Sequence, residues 1–283
     1  MKFLRTLLSL SILGIAAQTA FGSDKSVTPE KELKDLVARE KQLTAQAAKA
    51  GPNFDEDDFR NQMQQLADAY EKLIRQAPEF VPTYVAYGLM LDKIGMRKES
   101  IVLLLRANHI DQNIAVVKNQ LGRYMAEEGK PLEAMAFFIT AVELEPKEPL
   151  YHYQMATLLA EARDDFLKSG QWTRQQLDKN MLEGFHKAAE LAPDNIGYAY
   201  RAAEAYGDLG EPRWDDAMTA WHALEGRAKP GVEVQTIHLQ EANILLKQQK
   251  INEARELLAT VDEPVLAKNK QTLVDQLPKN TEK

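Results

Sequence analysis

The chain contains no cysteine. That excludes disulfides, thiolate metal ligands, a cysteine nucleophile and lipidation at an N-terminal cysteine. A phosphate-binding loop is missing too. Gly129-Lys130 invites the comparison, but the motif requires glycine at 124, where Tyr124 stands, and Ser or Thr at 131, where Pro131 stands. There is no GxSxG nucleophile elbow and no glycine-rich βα turn. Basic blocks are also lacking: 35 Lys and Arg stand against 42 Asp and Glu, for a net charge of −7. Such a chain is a poor partner for nucleic acid or anionic lipid. Past the N-terminus, no apolar run approaches the roughly 20 residues needed to span a bilayer.

Two partial motifs fall short. In NFDEDDF, residues 53–59, Asn53, Asp55 and Asp57 alternate as in a calcium loop, but Asp58 stands where glycine is required and Gln64 where glutamate is. Acids at a helix N-terminus, favoured by the macrodipole, account for the stretch better. The five histidines, 109, 152, 186, 222 and 238, form no HExxH-type pair. Glu183 and His186 sit one helical turn apart, which alone is weak. No catalytic, cofactor or metal site is expected, and the chain does not read as an enzyme.

What is present is a globular composition, 45% apolar and 27% charged, in 283 residues. The chain begins MKFLRTLLSLSILGIAAQTAFGS. Lys2 and Arg5 form a positive region, Leu7 to Ala17 a short apolar one, and Ala20-Phe21-Gly22 a small-residue cleavage site. This is the pattern of a secretory signal peptide over residues 1–22. It implies export, to the periplasm or beyond the cell, of a mature chain 23–283 without a transmembrane segment.

The mature chain repeats. Tyr87-Gly88 recurs as Leu121-Gly122, Gly95 as Gly129, Leu104 as Phe138 and Ala107 as Ala141, all 34 positions on; Pro78 and Pro146 differ by twice that. The period matches two short helices and a turn. In LGRYMAEEGKPLEAMAFFITAVELEP, residues 121–146, Gly122 and Ala134 suit a close helix crossing. Gly129 suits a left-handed helix end, and Pro131 the first turn of the next helix.

These residues resemble a tetratricopeptide repeat. The neighbouring unit departs mildly, with Ser100 where alanine is usual and Gln112 where proline is. The resemblance implies an all-α, right-handed superhelical solenoid of antiparallel helix pairs: about six units, clearest over 81–148, and a capping helix near 264–277. Phe185 follows Phe138 by 47 positions, so one unit carries 13 extra residues near 161–180. That insertion reads as a longer first helix, a turn and a longer second helix. Trp172 is then either a partner anchor on a projecting hairpin or an internal packing residue.

In this family the first helices line a groove that holds a peptide or a helix of another protein. Carried over, the groove positions are Val85 and Leu89, Asn119 and Arg123, Tyr153 and Thr157, Tyr200 and Glu204, and Leu239 and Asn243. The implied function is a non-catalytic adaptor or scaffold of the cell envelope that binds another protein. One alternative is a structural subunit of an envelope assembly, secretion or polysaccharide-export machine, using its outer face and insertion. Another is an enzyme on a helical scaffold, which a groove carboxylate pair with a raised pKa would support.

Overall fold

A computed structural model of the chain describes residues 28–51 and 54–278. The expected signal peptide and Asn53 lie outside the described residues. Among those residues there are fourteen α-helices and no strand. None of these helices is long and apolar enough to cross a membrane. The chain divides after Asn113 into two compact units.

The first unit holds α1 (Pro29–Ala50), α2 (Glu56–Gln76), α3 (Val81–Lys93) and α4 (Arg97–Ile110). The acidic run is a helix start: Asp55 accepts hydrogen bonds from the amides of Asp57 and Asp58 at 3.1 and 2.9 Å and so caps α2. Leu36 and Leu43 of α1 bury against Met63, Leu66, Tyr70 and Leu73 of α2 and Tyr87 and Met90 of α3. Each such side chain contributes about 1.5–3 kcal/mol by leaving water. Tyr70 and Tyr87 stack with centroids 5.2 Å apart. The buried stripe of α1 includes one charge, Glu40, which accepts from Lys93 Nζ at 2.8 Å and from the Tyr70 hydroxyl at 3.5 Å. Burial and the adjacent Glu40 carboxylate push the Tyr70 phenol upward.

The second unit begins with α5 (Ala115–Glu127), α6 (Pro131–Leu144), α7 (Pro149–Glu161), α8 (Arg163–Lys168) and α9 (Arg174–Leu191). It continues with α10 (Ile196–Glu204), prolonged by a 3-10 turn (Ala205–Asp208), then α11 (Trp214–Glu225) and α12 (Val232–Lys247). α13 (Ile251–Ala259), a 3-10 turn (Pro264–Leu266) and α14 (Ala267–Val274) close it. Helices pair as α5 with α6, α7 with α9, α10 with α11 and α12 with α13, and α14 packs on α12 and α13. With α1/α2 and α3/α4 of the first unit, that makes six pairs and a final helix.

The small residues do what the repeat requires. A Cβ on Gly122 would sit 2.9 Å from two ring atoms of Phe138 and 3.3 Å from the Ala134 carbonyl. At Gly88 it would meet Leu104 at 3.0 Å. Ser100, the departure from alanine, is buried and satisfied by donating to the Gly88 carbonyl at 2.8 Å. In the third pair of close contacts the roles reverse, with Gly184 on the second helix and Ala156 on the first; a Cβ on Gly184 would sit 2.9 Å from the Ala156 methyl. Gly129 ends α5 at φ 72°, and the Lys130 amide reaches back to Met125 O at 2.9 Å. Gly95 repeats this at φ 84°. The same turn after α12 is made by Gln249 at φ 62°.

The insertion follows expectation in its second helix, α9, which has 18 residues against 14 in α4 and α6, and departs from it in the first. α7 is not extended; it stops at Glu161, and the separate six-residue α8 follows. The backbone turns at Ala162 (φ −100°, ψ 23°), and Phe166 of α8 is fully buried in the core. Trp172 packs edge-on against it with centroids 5.8 Å apart, half-buried at the margin of the core. Thr173 then caps α9 in a reciprocal box with Gln176. Asp178 of α9 ties the segment down: its carboxylate accepts from Arg174 at 2.8 Å and from the Gly210 amide at 2.7 Å.

Candidate partner-binding face

In the second unit the first helices of successive pairs are linked by their aromatic and amide side chains. Tyr153 of α7 lies 5.1 Å from Tyr198 of α10 and edge-on to Phe185 at 5.6 Å. Tyr200 of α10 meets Trp221 edge-on at 4.6 Å, and Gln240 of α12 donates to its hydroxyl at 3.4 Å. Both tyrosines are therefore partly committed to packing and are half-buried.

Beyond Tyr200 the face opens into a cleft of about 430 Å³ between α10, its 3-10 extension, α11 and α12. Trp221 lies in its wall, and Arg201, Glu204, Asp208, Gln240 and Asn243 line it. Arg201 pairs with Asp208 at 3.1 Å and lies over the Phe185 ring at 4.3 Å. Burial pushes the Glu204 carboxyl upward; Arg201 opposes this and Asp208 adds to it. Burial likewise raises the Tyr200 phenol, against a hydrogen bond from Gln240. The cleft thus offers amides, a carboxyl group and a salt bridge beside apolar rings, a mixture suited to a peptide backbone with a few side chains. None of its lining residues is a His, Ser or Thr.

The expected groove residues divide. Glu204 and Asn243 line the cleft and Tyr200 borders it. Tyr153 and Thr157 share α7, the Thr157 hydroxyl donating to the Tyr153 carbonyl at 2.9 Å. Arg123 of α5 donates to Gln120 at 2.7 Å and lies 4.0 Å from Glu127. Two expectations fail. Asn119 is 2% exposed and Leu239 5%, so neither presents a surface to a partner. Leu239 packs with Ala242, Leu258 and Val261 instead, and its neighbour Gln240 takes the cleft position. In the first unit Val85 and Leu89 are half-buried on α3.

Arg201, Asp208, Trp221 and Gln240 also line the cleft and lie outside the groove positions that the repeat register gives. The spacing carried a warning: Asn119 to Tyr153 is 34 positions, but Tyr200 to Leu239 is 39. That is five more than the period, so positions cannot be counted through the longer connection, and Gln240, one residue past Leu239 and about 100° round the helix, lines the cleft instead.

No protein-family model matches the chain, and no curated protein matches it. Solved structures do. YrrB, described as a TPR protein with an unusual peptide-binding site, is 16% identical over 74% of this chain and 99% of its own, with TM-score 0.61. Pseudomonas aeruginosa pilF is 12% identical over 88% of this chain and 99% of its own, with TM-score 0.59. PilW, described as a widely conserved type IV pilus biogenesis factor, is 14% identical over 85% and 99%, with TM-score 0.56. At these identities the likeness establishes the fold: a tetratricopeptide-type all-helical repeat.

Proposed function

We propose that the chain is a non-catalytic scaffold of the cell envelope that binds a peptide or helix of another exported protein on its second unit. The partner lies across the ends of Tyr153 and Tyr200 and into the cleft between α10 and α12. The observation carrying this is the cleft itself, lined by the half-buried Glu204, Gln240 and Asn243 with Trp221 in its wall. The envelope assignment rests on the signal-like N-terminus.

The test is capture of partners by the tagged mature chain from envelope extract, comparing the parent with a Gln240→Ala, Asn243→Ala double variant. These residues line the cleft without belonging to its core, so the variant should fold and lose the partner. Equal recovery by both would remove the cleft from the account. Replacing Tyr153 and Tyr200 would be a poorer test, since both pack on core rings.

Two observations support other readings. Val102, 66% exposed, and Leu105, 45% exposed, stand one turn apart on α4, an apolar spot that suits a structural subunit of a larger assembly. Val102→Asp would then block assembly while leaving capture through the cleft intact. Glu204 and Asp208 form the carboxylate pair that an enzyme on this scaffold would need. Asp208, however, is paired with Arg201. Under that reading Glu204→Gln would abolish turnover of a bound substrate without weakening its binding.

A further inference from the structure

Two segments share a spacing that the repeat does not require: His222-Ala-Leu-Glu225 on α11 and His238-Leu-Gln-Glu241 on α12. Residues three apart share a helix face, and α11 packs against α12. The faces meet. His222 Nδ1 lies 3.5 Å from Glu225 Oε2 and 3.8 Å from Glu241 Oε1. One ligand atom from each of the three residues falls within 4.8 Å of the others.

The buried member points to a ligand. The Glu241 side chain is only 7% exposed, and its Oε1, the atom facing His222, has no hydrogen-bond partner. A buried carboxylate oxygen without a donor is costly. A second carboxylate, Glu225, faces the same point. Burial and Glu225 push the Glu241 carboxyl upward, against His222 and His238. A dication held between the two carboxylates would relieve both penalties. The remaining histidine supports the arrangement from outside: His238 Nδ1 meets the Thr260 hydroxyl at 2.7 Å, and its Nε2 meets Glu225 Oε1 at 3.3 Å. That contact holds the other Glu225 oxygen toward His222, as outer-shell partners of metal ligands do.

We infer that His222, Glu225 and Glu241 form a site for a divalent transition-metal ion of the zinc class, with His238 as positioning residue. The nitrogen ligand disfavours magnesium and calcium, which take oxygen donors. Tetrahedral zinc bonds of about 2.0–2.2 Å place ligand atoms ~3.3–3.5 Å apart, close to the 3.5 and 3.8 Å found. His222 is 79% exposed, so the ion enters from solvent and keeps an open position. Bound there, it clips one helix pair to the next beside the cleft. This inference stands apart from the proposed function, since a metal clip does not require a partner.

The test uses the untagged full chain, freed of metal with a chelator and titrated with zinc alone by calorimetry. Cobalt(II) replaces zinc in a second series read by visible absorption. The parent should bind one zinc ion, raise its melting temperature on binding, and give cobalt bands of low-coordinate geometry. His222→Ala, at an exposed position, and the isosteric Glu241→Gln should keep their circular dichroism and lose stoichiometric binding. His238→Ala should weaken binding by about 10–100-fold and shift the cobalt spectrum. His238→Gln, whose amide can donate to Glu225 in place of Nε2, should recover most of the affinity. No stoichiometric binding by the parent, or variants that bind as tightly as the parent, would overturn the site.

Discussion

Replacing Gly122 by leucine tests the packing that makes this chain a stack of helix pairs. The first atom of any side chain there would stand 2.9 Å from Cδ1 and Cε1 of Phe138 and 3.3 Å from the Ala134 carbonyl. Phe138 is 2% exposed and Ala134 is fully buried, so neither can swing into solvent. Either α5 and α6 separate or the ring leaves its rotamer, at about 1–3 kcal/mol. Losing glycine from a helix interior returns up to about 1 kcal/mol. Alanine should therefore be near neutral or mildly destabilising, and leucine should cost about 1–2 kcal/mol net. At about 2–4 °C per kcal/mol for a unit of this size, the leucine variant should melt several degrees lower. Gly207→Ala is the control, because nothing lies within 4 Å of a Cβ at that position. Urea denaturation followed by far-ultraviolet dichroism reads all three. A leucine variant as stable as the parent would refute the α5/α6 crossing.

Other consequences can be checked the same way. Gln249→Gly should stabilise by about 0.5–1 kcal/mol, because Gln249 holds a left-handed backbone that glycine adopts freely; a lower urea midpoint would contradict this. Lys93→Ala removes the 2.8 Å partner of the buried Glu40 and should cost about 1–3 kcal/mol. Glu40→Leu combined with Lys93→Met should recover most of that loss, and failure to do so would show that the loss does not come from leaving Glu40 buried and unpaired. In chelator-treated protein, Glu241→Gln should stabilise at about pH 7, since the folded state holds that carboxyl above its ordinary range. The penalty on the charged form is full above the raised pKa and fades as pH falls toward the unfolded value of about 4.3. The variant's advantage should therefore shrink on acidification, and an advantage that grows instead would reverse the sign.

Much of the fold was legible because the repeat writes its constraints into few residue types. Gly122, Gly129 and Pro131 each answer one geometric need, and each occupies the expected place. What the sequence hid was the identity of neighbours across irregular spacings. The insertion reads as two longer helices, and the second is longer, but the backbone turns at Ala162 and the short α8 that follows buries Phe166. Gly184 and Ala156 carry the close contact with the order of helices reversed, which a fixed pattern cannot anticipate. The repeat register puts Leu239 and Asn119 on the groove face, but burial depends on packing that the register does not carry. The twin His-x-x-Glu segments were visible throughout. A lone His-x-x-Glu pair on one helix carries little signal; it is the approach of α12, which brings Glu241 to within 3.8 Å of His222, that spacing does not reveal.

The most direct test of the central claim, a helical-repeat scaffold that holds a partner on its second unit, is photo-crosslinking in intact cells. A benzophenone side chain is placed at Gln240 and Asn243 in the cleft, and at Lys179 and Thr219, exposed positions on the second helices of their pairs. The account predicts a discrete adduct with one exported protein from the cleft positions and none from the others. Adducts of the same pattern from all four positions, or only from Lys179 and Thr219, would contradict it.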